Sequence, residues 1–106
     1  GRFPLWLAPV QIMLINVNDE QADYTRELAS RLLQAEVRAE CDIRSETLGY
    51  KVRDAIAKKV PYIGVIGARE AEADMIALRT FADKNSVPIK TEDLIERIKR
   101  GSIERK

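Results

Sequence analysis

Apolar residues along this chain switch between two periods, and the switches outline its elements. Residues 10–17, VQIMLINV, are apolar at almost every position and stop at Asn18. A run of that length without a polar face predicts a strand buried on both sides. Apolar positions then move to helical spacing at Tyr24, Leu28, Leu32 and Ala35, behind an Asn18–Gln21 spacing that fits a capping box. Residues 37–43, VRAECDI, alternate strictly, which predicts a strand with one exposed face. Leu48, Val52, Ala55, Ile56 and Lys59 mark the next helix, and residues 60–66, VPYIGVI, the next buried strand.

Three strands separated by two helices predict βαβαβ with right-handed crossovers and parallel pairing. Residues 67–74 are too short for a further helical crossover, so MIALRTF (75–81) is expected to join the sheet antiparallel. A polar turn at Asp83-Lys84-Asn85 and the segment SVPIK complete a hairpin, and Pro88 assigns its second strand to a sheet edge. Thr91 is expected to cap a last helix. That helix has Glu92 and Asp93 in its first turn, Lys99 and Arg100 in its last, and Gly101 past its end.

With 106 residues, the chain is expected to form one domain that needs neither metal nor disulfide. There is no histidine and a single cysteine, which removes the commonest general base and the usual zinc patterns. Cys41 reads as a buried structural thiol, in keeping with a reducing cytoplasm. No apolar run approaches the roughly 20 residues that span a bilayer. The opening Gly1-Arg2-Phe3 has neither an initiator Met nor a signal-peptide pattern. Residues 1–9, with two prolines, are therefore expected to be an extended lead-in from an upstream part of a longer protein, and residues 10–106 the domain proper.

The net charge of +1 conceals a pattern. Residues 19–36 hold five acidic and two basic side chains, residues 51–59 one acidic and four basic, and residues 97–106 one acidic and five basic. In open α/β sheets ligands bind beyond the carboxyl ends of the parallel strands. Here those ends are 16–19, 44–46 and 67–70, and the basic helix starts from the same rim. A polar Asn and a Glu among Arg and Lys side chains suit a ligand with phosphates and hydrogen-bonding edges, as in single-stranded nucleic acid. Each signal has a plainer reading. Lys51, Arg53, Lys58 and Lys59 would form a solvated helix face, with Asp54–Lys58 an ordinary i,i+4 pair. Asn16 would bond the neighbouring loop, and Glu70 would pair with Arg69. Gly64 and Gly67 belong to no phosphate-cradling motif, and no catalytic constellation is apparent.

The stretches FPLWLAPVQ and DIRSETLGYKVRDAIAKKVPYIGVIGARE and the arginine of IALR closely resemble the C-terminal anticodon-binding domain of threonyl-tRNA synthetases, class II aminoacyl-tRNA synthetases. The match covers residues 3–80 and continues more loosely through the last helix. The resemblance implies an α/β fold of three layers, a mixed sheet of about five strands flanked by helices. It implies that the domain reads the anticodon loop of threonine tRNA, chiefly the second and third anticodon bases, guanine and uracil. The positions that match loop-contacting residues of the family are Asn16, Arg53, Lys59, Glu70 and Arg79. A carboxylate at Glu70 can accept both Watson–Crick donors of guanine, and Arg79 offers a fork of donors. Arg53 and Lys59 would hold the backbone, although an ammonium at position 59 lacks the bidentate fork of an arginine. Unstacked loop bases could also stack on an aromatic face, but Tyr50 and Tyr62 are expected as packing residues. The same resemblance implies an ATP-dependent threonine–tRNA ligase as parent, homodimeric and cytoplasmic. Its ATP, Mg and Zn would sit in the catalytic domain, with no cofactor, catalytic residue, metal or membrane contact in this chain. Where the family continues with basic residues after the arginine, this chain has Thr80-Phe81-Ala82-Asp83. That departure, with the apolar residues 3–7, leaves open a diverged fold used as a protein-interaction or dimerisation module. A small nucleotide-binding enzyme has fold analogy alone behind it.

Overall fold

The computed structural model describes residues 10–80 and 86–103. Five strands and four helices follow in the order β1 (Ile12–Asn16), α1 (Ala22–Gln34), β2 (Ala39–Asp42), α2 (Leu48–Ala57), β3 (Tyr62–Ile66), α3 (Ala68–Ala73), β4 (Met75–Thr80), β5 (Val87–Lys90) and α4 (Thr91–Ile103). The sheet order is β2-β1-β3-β4-β5. β1 pairs in parallel with β2 and β3, and β4 runs antiparallel to both β3 and β5. Thus the expected α/β class, the mixed five-stranded sheet and the edge position of Pro88 are all realised. The lead-in, residues 1–9, and the turn at 83–85 lie outside the described residues.

β1 is apolar from Ile12 to Ile15 because each of these side chains has a buried face to fill. Ile12 and Leu14 pack with Leu28 and Leu32 of α1 and Leu94 and Ile98 of α4. Met13 and Ile15 turn the other way, onto Val52 and Ala55 of α2 and Ile63 of β3. The result is three layers, helix on sheet on helix. Fully burying a side chain of this size contributes roughly 1.5–3 kcal/mol, so the central strand anchors both layers. β3 lies flat between them because Gly64 has no side chain. A Cβ there would stand 2.6 Å from Ile76 Cγ2 and 3.0 Å from Leu14 Cδ2.

α1 is preceded by a single 3-10 turn, Asp19–Gln21, and the Asn18–Gln21 capping box is present, with Gln21 Oε1 accepting the Asn18 N–H at 3.0 Å. Both α1 and α2 end in Schellman turns at non-glycine residues. Glu36 has φ 67° and Lys59 φ 63°; the N–H of Val37 bonds Leu32 O and that of Val60 bonds Ala55 O. These bonds satisfy terminal carbonyls at the cost of a left-handed residue with a Cβ.

Several expectations change. The connection 67–74 contains the short helix α3, which Asp74 ends in left-handed conformation, φ 54°. Of the positions expected to mark α2, Leu48 and Ile56 are 38% and 37% exposed, and Lys59 lies beyond the helix. The buried stripe of α2 is instead Lys51, Val52 and Ala55. Gly101 does not end α4, whose backbone stays helical to Ile103; one glycine costs only about 1 kcal/mol in a helix. Thr91 is the first residue of α4, fully buried, and its hydroxyl donates to Asp74 O at 3.3 Å. Cys41 is partly buried against the α1 side of the core, where burial raises its thiol pKa.

Candidate nucleic-acid interface

The carboxyl rim of the parallel strands is a corner built from three turns. Register places Asn16 beside Ile66, and the Val17 N–H donates to Ile66 O at 2.9 Å. β1 and β3 therefore end together, and the loops that follow them lie side by side. Asn16 is buried, 2% exposed, and both ends of its carboxamide are in use. Nδ2 donates to Asn18 O at 2.8 Å, and Oδ1 accepts from Lys51 Nζ at 3.0 Å.

Lys51 departs from the solvated helix face expected for it. It is 3% exposed, and its ammonium also lies 3.4 Å from Asn16 O. Among the described residues it forms no ion pair; its partners are the neutral oxygens of Asn16. The aliphatic stem fills the space between α2 and the end of β1 while the charge is solvated by carbonyl dipoles. Lys51 thereby locks the orientation of the Asn16 carboxamide and seats the first turn of α2 on the rim.

Glu70 occupies the first turn of α3, where Oε1 accepts the Gly67 N–H at 2.8 Å. This cap replaces the expected pairing with Arg69. It ties one carboxylate oxygen to the helix start at the rim and leaves Glu70 partly exposed. A negative charge there also interacts favourably with the helix dipole.

Arg79 lies elsewhere. Its strand partner is Ile63, four residues before Gly67, so it sits about 13 Å down β3 from the rim at the usual strand rise. It shares the sheet face of Ile63, the one α2 covers, but α2 packs on β1 and β3. Val65, Ala77 and Arg79 consequently stay partly exposed. Arg79 Nε is the one buried side-chain polar atom without a hydrogen-bond partner among the described residues. Ordered water, an ion or a ligand ordinarily accounts for such an atom. Lys59, exposed, follows α2 just ahead of β3 and so belongs to this lower end. Arg53 is exposed on α2 between the two ends. The five candidates thus fall into a rim pair, Asn16 and Glu70, and a lower pair, Arg79 and Lys59, bridged by Arg53.

Beside the rim, a charge network shapes the β2–α2 loop. Arg44 donates to both carboxylate oxygens of Asp42, at 2.8 and 2.7 Å, and to Asp54 at 3.1 Å; Lys58 reaches Asp54 at 3.2 Å. The hydrogen bonds from Arg44 hold the nearly buried Asp42 carboxyl below the usual carboxylate range, against the effect of burial. Tyr62 packs on the core as expected, whereas Tyr50 does not: it is 44% exposed, with Arg44 Cζ 5.4 Å from its ring centroid. Alternation and helical period gave no warning of either Lys51 or Tyr50.

Residues 11–101 match the family model described as "Anticodon binding domain". The chain belongs to this anticodon-binding-domain family. It is 47% identical over 93 residues to the threonine–tRNA ligase of Syntrophotalea carbinolica, covering 88% of the chain and 15% of that protein. It is 43% identical over 99 residues to the threonine–tRNA ligase of Clostridium botulinum, covering 93% of the chain and 16% of that protein. The chain therefore spans about a sixth of the length of these relatives. Among solved structures, the RNA-binding domain of threonyl-tRNA synthetase from Cryptosporidium parvum superposes with a TM-score of 0.89 at 22% identity, over 94% of this chain and 25% of that one. Histidyl-tRNA synthetase from Nostoc sp. superposes at 0.79 with 27% identity, over 87% of this chain and 22% of that one. The anticodon-binding fold expected from the sequence is thereby established. Among the described residues no helix is long and apolar enough to cross a membrane, and no group of three or more His, Cys, Asp or Glu side chains is placed to hold a metal ion.

Proposed function

We propose that this chain is the tRNA-recognition part of a threonine–tRNA ligase and reads the anticodon loop of threonine tRNA. The reading rests above all on the family match over residues 11–101 together with relatives that are threonine–tRNA ligases. The geometry supports it chemically. Glu70 offers a fixed carboxylate at the rim for the N1–H and N2–H₂ donors of an unstacked guanine. Arg79, partly exposed, offers guanidinium donors to carbonyl or phosphate oxygens farther down the sheet. Arg53 and Lys59 carry backbone phosphates between the two. Asn16 acts from below the surface, because its carboxamide is already bonded to Lys51 and Asn18.

On this reading the ligation chemistry, with its ATP, Mg and Zn, and dimerisation belong to the remainder of a cytoplasmic parent enzyme. Phe81 and residues 3–7, which suggested an interaction module instead, lie outside the described residues, and nothing in the rim favours that alternative. Replacing Glu70 or Arg79 by Ala should weaken binding of a threonine-tRNA anticodon stem-loop by about 1–3 kcal/mol, by analogy with base-edge contacts elsewhere. It should also reduce discrimination at one anticodon base. Variants that bind cognate and base-swapped loops as the parent does would refute those roles.

A further inference from the structure

Tyr50 is an aromatic residue for which the core has no use. It lies in the first turn of α2, where Thr47 Oγ1 accepts its backbone N–H at 3.2 Å, and the next residue, Lys51, is buried against Asn16. The backbone that carries the ring is thus fixed at the carboxyl rim while the ring stays 44% exposed. The Arg44 guanidinium lies over that ring, 5.4 Å from the centroid, and is itself held by Asp42 and Asp54. Val17 and Leu48, 45% and 38% exposed, add apolar surface on the two adjoining segments of the rim. On the outer surface of α2, Arg53 follows Tyr50 at i+3, the spacing at which helical side chains stand next to each other. An exposed aromatic plane backed by Arg44, with the exposed Arg53 one helical turn on, suits an unpaired base: the ring takes the face of the base, and Arg53 takes the phosphate beside it. An apolar protein partner would cover the ring but leave the exposed Arg53 guanidinium without complementary charge.

We infer that Tyr50 stacks on one unpaired base of the anticodon loop, with Arg44 backing its ring and Arg53 beside the adjoining phosphate. The inference rests on the anticodon reading proposed above and adds a base-plane contact from α2 to the base-edge contact from Glu70.

The test titrates the chain with threonine-tRNA anticodon stem-loops that carry 2-aminopurine singly at each loop position. One position should be quenched on binding by the parent and by Tyr50→Phe. Tyr50→Leu should lose that quench, bind roughly tenfold more weakly and keep the parent's salt slope, because no ionic contact is removed. If Tyr50→Leu retains the parent's affinity and quench while cognate and base-swapped loops are still told apart, the stacking role is overturned and the anticodon reading stands. Weaker binding with the quench intact also overturns stacking. If the parent itself shows no preference for the cognate loop, the anticodon reading fails and the stacking role with it.

Discussion

Gly64 sets the distance between β3 and the layer of side chains above it, and adding one methyl there should be costly. In Gly64→Ala the new Cβ would meet Ile76 Cγ2 at 2.6 Å and Leu14 Cδ2 at 3.0 Å, whereas carbon atoms prefer about 3.5–4.0 Å. Ile76 Cγ2 branches directly from Cβ, so it can move aside only by a χ1 change that a fully buried β-branched side chain resists. Overpacking of this kind costs about 1–3 kcal/mol, offset by about 0.4–1 kcal/mol from the stiffer unfolded chain. From the middle of each range the net expectation is a loss of about 1.3 kcal/mol, measured by urea unfolding with far-UV circular dichroism. Ile76→Ala alone should cost about 2–5 kcal/mol by opening a cavity. In the double variant the added methyl occupies part of that cavity, so the combined loss should fall short of the sum by at least about 0.5 kcal/mol. A Gly64→Ala variant as stable as the parent, or strict additivity in the cycle, would refute this packing argument.

Acid should expose the Arg44 network. The Asp42 carboxyl is held low in the folded state, so its stabilisation is complete above the unfolded value of about 3.9 and is lost as pH falls through the lower folded value. Asp42→Asn should flatten the stability profile below about pH 4, and an unchanged acid limb would exclude that network. Lys59→Gly should raise stability by about 1 kcal/mol, because glycine relieves the left-handed cap, as followed by thermal melting. The same variant should lower the salt slope of RNA binding by about 0.7 if the ammonium contacts phosphate; no change in slope would remove Lys59 from the backbone contacts.

Which features the pattern of residues revealed follows from what that pattern measures. Period and alternation report the side on which a residue is buried, so β1, β3, Leu28 and Leu32 were legible, as was the antiparallel return forced by the short connection after Ile66. Periodicity treats a lysine as exposed. Lys51 is buried because its stem packs and its ammonium finds the Asn16 oxygens, a tertiary partnership 35 residues away. Tyr50 was assigned to packing because aromatic rings usually are, but the first turn of α2 overhangs the rim. The six residues of α3 fall below the length at which a period can be recognised. Its sequence trace is Gly67 with Glu70 three residues later, a carboxylate at the spacing that caps a helix start. The rim position of Asn16 and Glu70 followed from strand order. The placement of Arg79 well below that rim required the β3–β4 register.

The most direct test of base-specific anticodon recognition compares two titrations of the unmodified chain at two salt concentrations. One uses the threonine-tRNA anticodon stem-loop, and the other the same loop with its second anticodon base changed from guanine to adenine. Adenine presents an acceptor at N1 where guanine presents a donor, so the Glu70 carboxylate would lose its partners. The account predicts tighter binding of the cognate loop at both salt concentrations and loss of that preference in Glu70→Ala. Equal affinity for the two loops would contradict it and leave only a basic surface without base readout.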